Sequence, residues 1–171
     1  MLRGSTYLSD RRRIGDPIEW TYAISGKTVW LNDYIGPNKV VEVPGYINID
    51  GTQYATNWNG ITVPYAMFNS PTGNQVTYVS FNSAFADRIT TMANMFTGSH
   101  IVNFNQTIPD NVTNMAYTFA ICFDMDSNKV PAYPNNVTNI ASCYEYSNKL
   151  TCAMPSIPDS VTNMQYVYWN C

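Results

Sequence analysis

The sequence predicts a β-rich repeat solenoid of the leucine-rich-repeat type, with one short strand per turn and an N-terminal β capping region. A motif that reads Asn-Val-Thr-Asn-Met in its clearest form recurs every 23 to 25 residues, starting at Arg88, Asn111, Asn136 and Ser160. Apolar residues return at fixed places after the motif, and prolines close each period. Self-similarity at this period is typical of solenoids.

We divide the chain into an extended N-terminal arm, a β-rich capping region and the repeats. The arm is 1–18, the capping region is 19–59, and the repeats fill 60–171. Within the repeats, 60–87 is a divergent turn. Four clearer units follow, numbered 1 to 4 and spanning 88–110, 111–135, 136–159 and the partial 160–171.

In the capping region, Tyr22 to Leu31 predicts a hairpin with a Ser25-Gly26 turn, and Lys39 to Pro44 predicts another strand. We expect both to cover the first open end of the coil. The last unit stops at its twelfth position, so we also expect an apolar edge there, covered by another subunit or by further turns.

Residues at equivalent positions of the units share their chemistry. Position 9 is aromatic and is predicted to face the core; it holds Phe96, Phe119, Tyr144 and Tyr168. Position 12 is small and is also predicted to face the core; it holds Ser99, Cys122, Ser147 and Cys171. The alternation in Val-Thr-Asn-Met predicts one brief strand per turn. The recurring threonines and asparagines predict polar ladders, in which each side chain bonds one turn away.

The repeat block resembles that of the BspA-like leucine-rich-repeat surface proteins of bacteria and their phages. The likeness rests on Asn-Val-Thr-Asn-Met, an aromatic, a cysteine and Ile-Pro-Asp-Ser, and on an entry segment that includes Val40-Val41-Glu42-Val43-Pro44. Arg88 and Thr91 depart from the usual Asn pair, and leucine is scarce. The resemblance implies a solenoid binding surface with no catalytic residues.

The composition favours a surface that contacts proteins or glycans. Only 12% of residues are charged while 14% are aromatic, so the surface must be largely neutral and polar. A net charge of −3 argues against nucleic acid as a partner. No apolar run is long enough to insert into a membrane, and the start Met-Leu-Arg-Gly lacks a secretion signal. A protein made without a signal yet carrying a surface-type repeat fits the surface of a phage virion.

Four arginines mark the N-terminal arm as a docking segment: Arg3, Arg11, Arg12 and Arg13. We expect the arm to order against other virion subunits, which makes the protein an oligomer within an assembly. The alternative is a solvated, disordered tail.

Metal and catalytic sites have little support in the sequence. The four cysteines follow the repeat and no zinc spacing, so we predict buried free thiols, no metal and no cofactor. The single histidine, His100, lies near no nucleophile motif, and Asp124, Asp126 and Asn128 lack the rest of a calcium loop. We therefore predict that the protein is not an enzyme.

Three aromatic residues outside the predicted core column are binding candidates: Tyr117, Tyr146 and Tyr166. The leading function is a structural and interaction protein of a phage particle, as head decoration, fibre or tail protein. The alternatives are a bacterial cell-surface adhesin that binds host protein or glycan, and, last, a carbohydrate-active enzyme with a carboxylate pair.

Overall fold

All regular strands of the described chain lie between residues 20 and 104. The computed structural model describes residues 19–58, 60, 67–68, 76–104, 106–126, 130–151 and 154–171. The strands are β1 Trp20–Ser25, β2 Thr28–Tyr34, β3 Val40–Val43, β4 Tyr46–Ile49, β5 Thr52–Asn57, β6 Tyr78–Phe81 and β7 Asn103–Phe104, with one short helix, α1, at Ser83–Ala86.

Four strands form a mixed sheet in the order β1-β2-β5-β4. The β1 and β2 strands pair antiparallel around Gly26, whose φ of +59° suits a residue without Cβ. The β2 and β5 strands pair parallel, and β4 closes the edge antiparallel to β5. This pairing confirms the hairpin predicted from Tyr22 to Leu31.

A second sheet is wholly parallel and has the order β3-β6-β7. Its first strand confirms the strand predicted from Lys39 to Pro44. Its other two strands come from residues assigned to the repeats. The sheet therefore joins the predicted capping region to the predicted coil.

The predicted fold class, a repeat solenoid with one strand per turn, is wrong. The protein is a β-rich domain of two sheets, one mixed and one parallel. In the described residues, the Val-Thr-Asn-Met segments form only isolated parallel bridges. These bridges pair Thr91 with Asn114, Asn114 with Asn139, and Asn139 with Asn163. The Oδ1 atom of Asn114 accepts the N–H of Ala116 at 3.1 Å, which turns the chain at once and leaves no room for a strand.

The threonine part of the predicted polar ladder is confirmed, and the asparagine part is wrong. The Oγ1 atoms of Thr138 and Thr162 donate to the carbonyls of Thr113 and Thr138, at 3.1 and 3.2 Å. In contrast, the Oδ1 atom of Asn139 accepts the N–H of Ala141, two residues further along its own unit, at 3.1 Å.

The units lie side by side, and each donates main-chain hydrogen bonds to the next. The N–H groups at positions 5, 7, 9 and 11 of one unit reach the carbonyls at positions 4, 6, 8 and 10 of the following unit. Between units 2 and 3 these bonds run from Met115 to Asn139, Tyr117 to Ala141, Phe119 to Cys143 and Ile121 to Glu145, at 2.7 to 2.9 Å.

An aromatic column runs through the core at position 9, as predicted. Phe96, Phe119 and Tyr144 are fully buried, and consecutive rings stack with centroids 5.2 and 5.4 Å apart. Phe68 extends the column at one end, with its ring centroid 5.5 Å from that of Phe96. The partly buried Tyr168 extends it at the other end, with its ring centroid 5.9 Å from that of Tyr144.

The two departures from the repeat motif have structural reasons. The Arg88 guanidinium donates to the carbonyls of Gly45 and Thr56 and lies over the ring of Tyr46, so it ties unit 1 to the mixed sheet. The Oγ1 atom of Thr91 accepts the N–H of Ala93 at 3.1 Å, which is the role asparagine has in later units.

Some predictions fall on residues outside those described: the docking arm with Arg3, Arg11, Arg12 and Arg13, residues 61–66 and 69–75 of the divergent turn, Asn128 and Cys152. In the part of the chain that the structure describes, no helix has the length and apolarity needed to cross a bilayer.

Candidate functional site

Two positions of every unit have left-handed backbone. At position 7, φ is +59° for Asn94, +57° for Tyr117, +53° for Ser142 and +56° for Tyr166. At position 11, φ is +69° for Gly98, +59° for Ile121, +58° for Tyr146 and +55° for Asn170. This conformation favours glycine and asparagine and costs bulky residues about 1 to 2 kcal/mol.

All three predicted binding residues occupy these left-handed positions. Tyr117, Tyr146 and Tyr166 are 44%, 42% and 61% exposed, so a large part of each residue stays accessible to a partner despite the cost of the backbone. Main-chain hydrogen bonds fix the first two: the Tyr117 N–H donates to Ala141 at 2.9 Å, and the Tyr146 N–H donates to Trp169 at 2.8 Å. The exposed rings are thus held on a rigid support.

The three tyrosines are not in mutual contact among the described residues. Tyr117 and Tyr166 share position 7 of units 2 and 4, with the buried Ser142 between them, while Tyr146 holds position 11 of unit 3. We call Tyr117, Tyr146, Tyr166 and Trp169 the aromatic surface.

Trp169 belongs to this surface, although the sequence reasoning did not keep it among the binding candidates. It is half exposed, and its ring meets that of Tyr166 edge to face, with centroids 5.4 Å apart and a 90° interplanar angle. Position 10 holds Thr97, Ala120, Glu145 and Trp169, so nothing in its pattern marked the tryptophan. The signal that the sequence did offer is that Trp169 lies three residues after the binding candidate Tyr166.

An exposed ion network connects the middle of units 1, 2 and 3. Asp124 accepts from His100 Nδ1 at 2.7 Å and from Lys149 Nζ at 2.6 Å. The hydrogen bond from Lys149, followed by that from His100, lowers the pKa of the Asp124 carboxyl. Ser99, next to His100, is buried with its Oγ 3.7 Å from the thiol of Cys122, so it is not a nucleophile open to substrate.

The cysteines of the described chain divide into core and surface thiols. Cys122 and Cys143 are free and fully buried, as predicted, whereas Cys171 is free and exposed. The Sγ atom of Cys122 donates to the Phe96 carbonyl at 3.0 Å, and burial raises the pKa of this thiol to about 12. These core thiols are therefore structural and unreactive.

A shallow cleft of about 260 Å³ lies between the two sheets' first strands. Its walls include Glu19, Tyr34, Glu42 and Ser80. Glu19 is buried, and its Oε2 accepts the Tyr34 hydroxyl at 3.4 Å. Across the described ranges, no group of three or more His, Cys, Asp or Glu side chains is placed to hold a metal ion.

Comparison with known proteins finds no matching family model, no similar curated protein and no similar solved structure. The resemblance to BspA-like surface proteins therefore stays a prediction from the sequence.

Proposed function

We propose that the protein is a non-enzymatic interaction protein that binds its partner through the aromatic surface, and that it belongs to a phage virion as a head decoration, fibre or tail protein. The observation that carries the proposal is the left-handed backbone of Tyr117, Tyr146 and Tyr166. The same positions hold Asn94, Gly98 and Asn170 in other units, so the backbone itself does not require tyrosine there. Strained residues that persist without a structural reason point to function.

Tyrosine suits a binding surface because it offers a large rigid contact area at a low entropy cost. Its ring face packs against apolar groups, including the C–H faces of sugars, while its hydroxyl hydrogen-bonds to polar ones. Such neutral contacts also fit a chain in which only 12% of the residues are charged.

A bacterial cell-surface adhesin that binds host protein or glycan is the alternative. The aromatic surface serves both functions equally, and the difference is where the protein resides. Immunodetection on purified phage particles supports the virion component, whereas detection on the bacterial envelope alone supports the adhesin.

The binding proposal is tested with a variant that carries Tyr117→Asn, Tyr146→Gly and Tyr166→Asn, the residue types that unit 1 has at these positions. Wild type and variant are screened against a glycan array and against intact bacterial cells. We expect the variant to lose at least about tenfold in affinity, since each exposed aromatic contributes about 1 kcal/mol or more at an interface. Tyr78→Asn, which alters an exposed tyrosine on β6, is the matched control and should bind like wild type. Equal binding by wild type and the triple variant would reject the proposal.

A further inference from the structure

The cleft between the first strands of the two sheets is acidic. Two carboxylates line it: Glu19, which is only 6% exposed, and Glu42, which is exposed. None of the described residues that line the cleft is basic. Burial strengthens the attraction between Glu19 and a cation, because less water screens the charge. The cleft therefore favours a positively charged ligand.

The other walls of the cleft indicate which kind of cation fits. Trp20 and Val41 supply apolar surface, and Ser80 supplies a hydroxyl group that can accept a hydrogen bond. An arginine side chain matches this combination, because its stem packs on apolar groups while its guanidinium bonds to carboxylates and hydroxyls. At about 260 Å³, the cleft is smaller than a typical pocket for a drug-sized molecule, so it suits one long side chain.

The N-terminal arm is attached at the wall of this cleft. Residues 1–18 lie outside the described part of the chain and join it at Glu19, which is itself a wall residue. Arg11, Arg12 and Arg13 stand six to eight residues before Glu19. A stretch of this length spans at most about 30 Å when fully extended, so the three arginines stay near the cleft in every conformation of the arm.

The sequence between the arginines and the cleft favours a reversal of the chain. Gly15-Asp16-Pro17 follows Arg13 after a single residue, and glycine next to Asp-Pro is a turn signal. A turn at this point brings Arg13 back alongside Glu19. The short tether also gives the arm an effective concentration of about the millimolar range at its own cleft, which favours it over the arm of a second copy.

We propose that the cleft binds the segment Arg11–Arg13 of the chain's own N-terminal arm, with an arginine side chain between Glu19 and Glu42. This goes beyond the proposed function, because it assigns a site on the domain to the arm of the free chain. On a virion, an acidic surface of a neighbouring subunit would compete with the cleft for the same arginines. The cleft would then control when the docking arm is released.

Trypsin cleavage after Arg11, Arg12 and Arg13 tests the proposal in the full chain. The protease must accommodate residues on both sides of the arginine that it cleaves, so the rate follows the fraction of chains whose arm is free. The reference is a synthetic peptide of residues 1–18, which has the same sites and no cleft. We expect cleavage to be at least about tenfold slower in the chain than in the peptide. Equal rates in the two would overturn the proposal.

Glu42→Lys separates binding in the cleft from simple shielding by the folded domain. Glu42 is exposed, so we expect this variant to unfold at the same urea concentration as the wild type. It replaces an attractive charge with a repulsive one, and the protection of the arginines should fall at least about threefold. Asp159→Lys makes the same change of charge at an exposed residue away from the cleft and should keep the protection. Full protection in Glu42→Lys would mean that the arm is held elsewhere and that the proposal is wrong.

Protein concentration distinguishes the chain's own arm from the arm of a second copy. A contact within one chain gives the same protection at every concentration, whereas a contact between chains follows mass action. We expect equal protection over about a hundredfold range of protein concentration. Protection that rises with concentration would show that a second copy supplies the arm and would overturn the proposal.

Discussion

At the residue scale, Asp33 on β2 makes stability depend on pH. Its Oδ1 is buried and has no hydrogen-bond partner among the residues that the structure describes, and burial raises the pKa of its carboxyl from 3.8 to about 7. Because the folded pKa exceeds the unfolded one, the folded state holds the proton more tightly. The resulting stability is fully present below about pH 4 and is lost as the pH rises through about 7.

We therefore expect the free energy of unfolding to fall by about 1 to 2 kcal/mol between about pH 5 and about pH 8, after discounting for the water that reaches this partly exposed group. Asp33→Asn should abolish that loss, as measured by urea unfolding at the two pH values. Asp159→Asn, at an exposed aspartate, should keep it. A full pH-dependent loss in Asp33→Asn would show that another group is responsible.

Single residues also explain why the strand prediction failed. Alternation of apolar and polar residues is equally compatible with a strand and with a single bridge followed by a turn. In Asn114 and Asn139 the side-chain oxygen competes for the amide two residues on, which is a local hydrogen bond that periodicity does not reveal.

At the element scale, the aromatic column is the part of the fold that the sequence predicted best. Its residues are spaced by the repeat, so units that lie side by side bring their rings together in the core. Phe119 contacts rings on both sides, at 5.2 Å to Phe96 and 5.4 Å to Tyr144. The column thus connects the units through side chains as the amides do through the main chain.

We expect Phe119→Ala to lower the free energy of unfolding by about 3 to 5 kcal/mol, because it removes a fully buried ring and leaves a cavity. Phe123→Ala is the matched control, since Phe123 is 47% exposed and should cost less than about 0.5 kcal/mol. Chemical denaturation measures both variants. Similar losses for the two would mean that the column does not stabilise the core.

The sheets were predicted only in part, because their pairing is long-range. The β1–β2 hairpin has a local turn signal in Ser25-Gly26. The parallel pairing of β3 with β6 joins residues 38 positions apart, and no local pattern encodes it. Among the site residues, the tyrosines were found by their absence from the core column, whereas their left-handed backbone required the structure.

At the scale of the whole molecule, the two proposed contacts belong to different parts of the sequence. The predicted docking arm is basic, and the aromatic surface is neutral. If the arm attaches the protein to other virion subunits, its removal should change assembly and leave ligand binding intact.

We expect residues 1–171 to form a defined oligomer, or to bind purified virions, and a chain that starts at Glu19 to be monomeric and unable to bind them. Light scattering after gel filtration and co-sedimentation with particles measure the two properties. As the control for folding, the shortened chain should unfold at the same denaturant concentration as the wild type. Identical mass and virion binding in both chains would show that the arm has no role in assembly and would favour a free-standing adhesin.

The central claim is that Tyr117, Tyr146 and Tyr166 are retained for binding, at a cost to folding. The most direct measurement is the free energy of unfolding of the variant with Tyr117→Asn, Tyr146→Gly and Tyr166→Asn, compared with wild type by urea denaturation. We predict that the variant is more stable, by about 1 kcal/mol or more in total, because asparagine and glycine accept a left-handed backbone at lower cost. A variant clearly less stable than wild type would contradict the claim, since the tyrosines would then be structural residues.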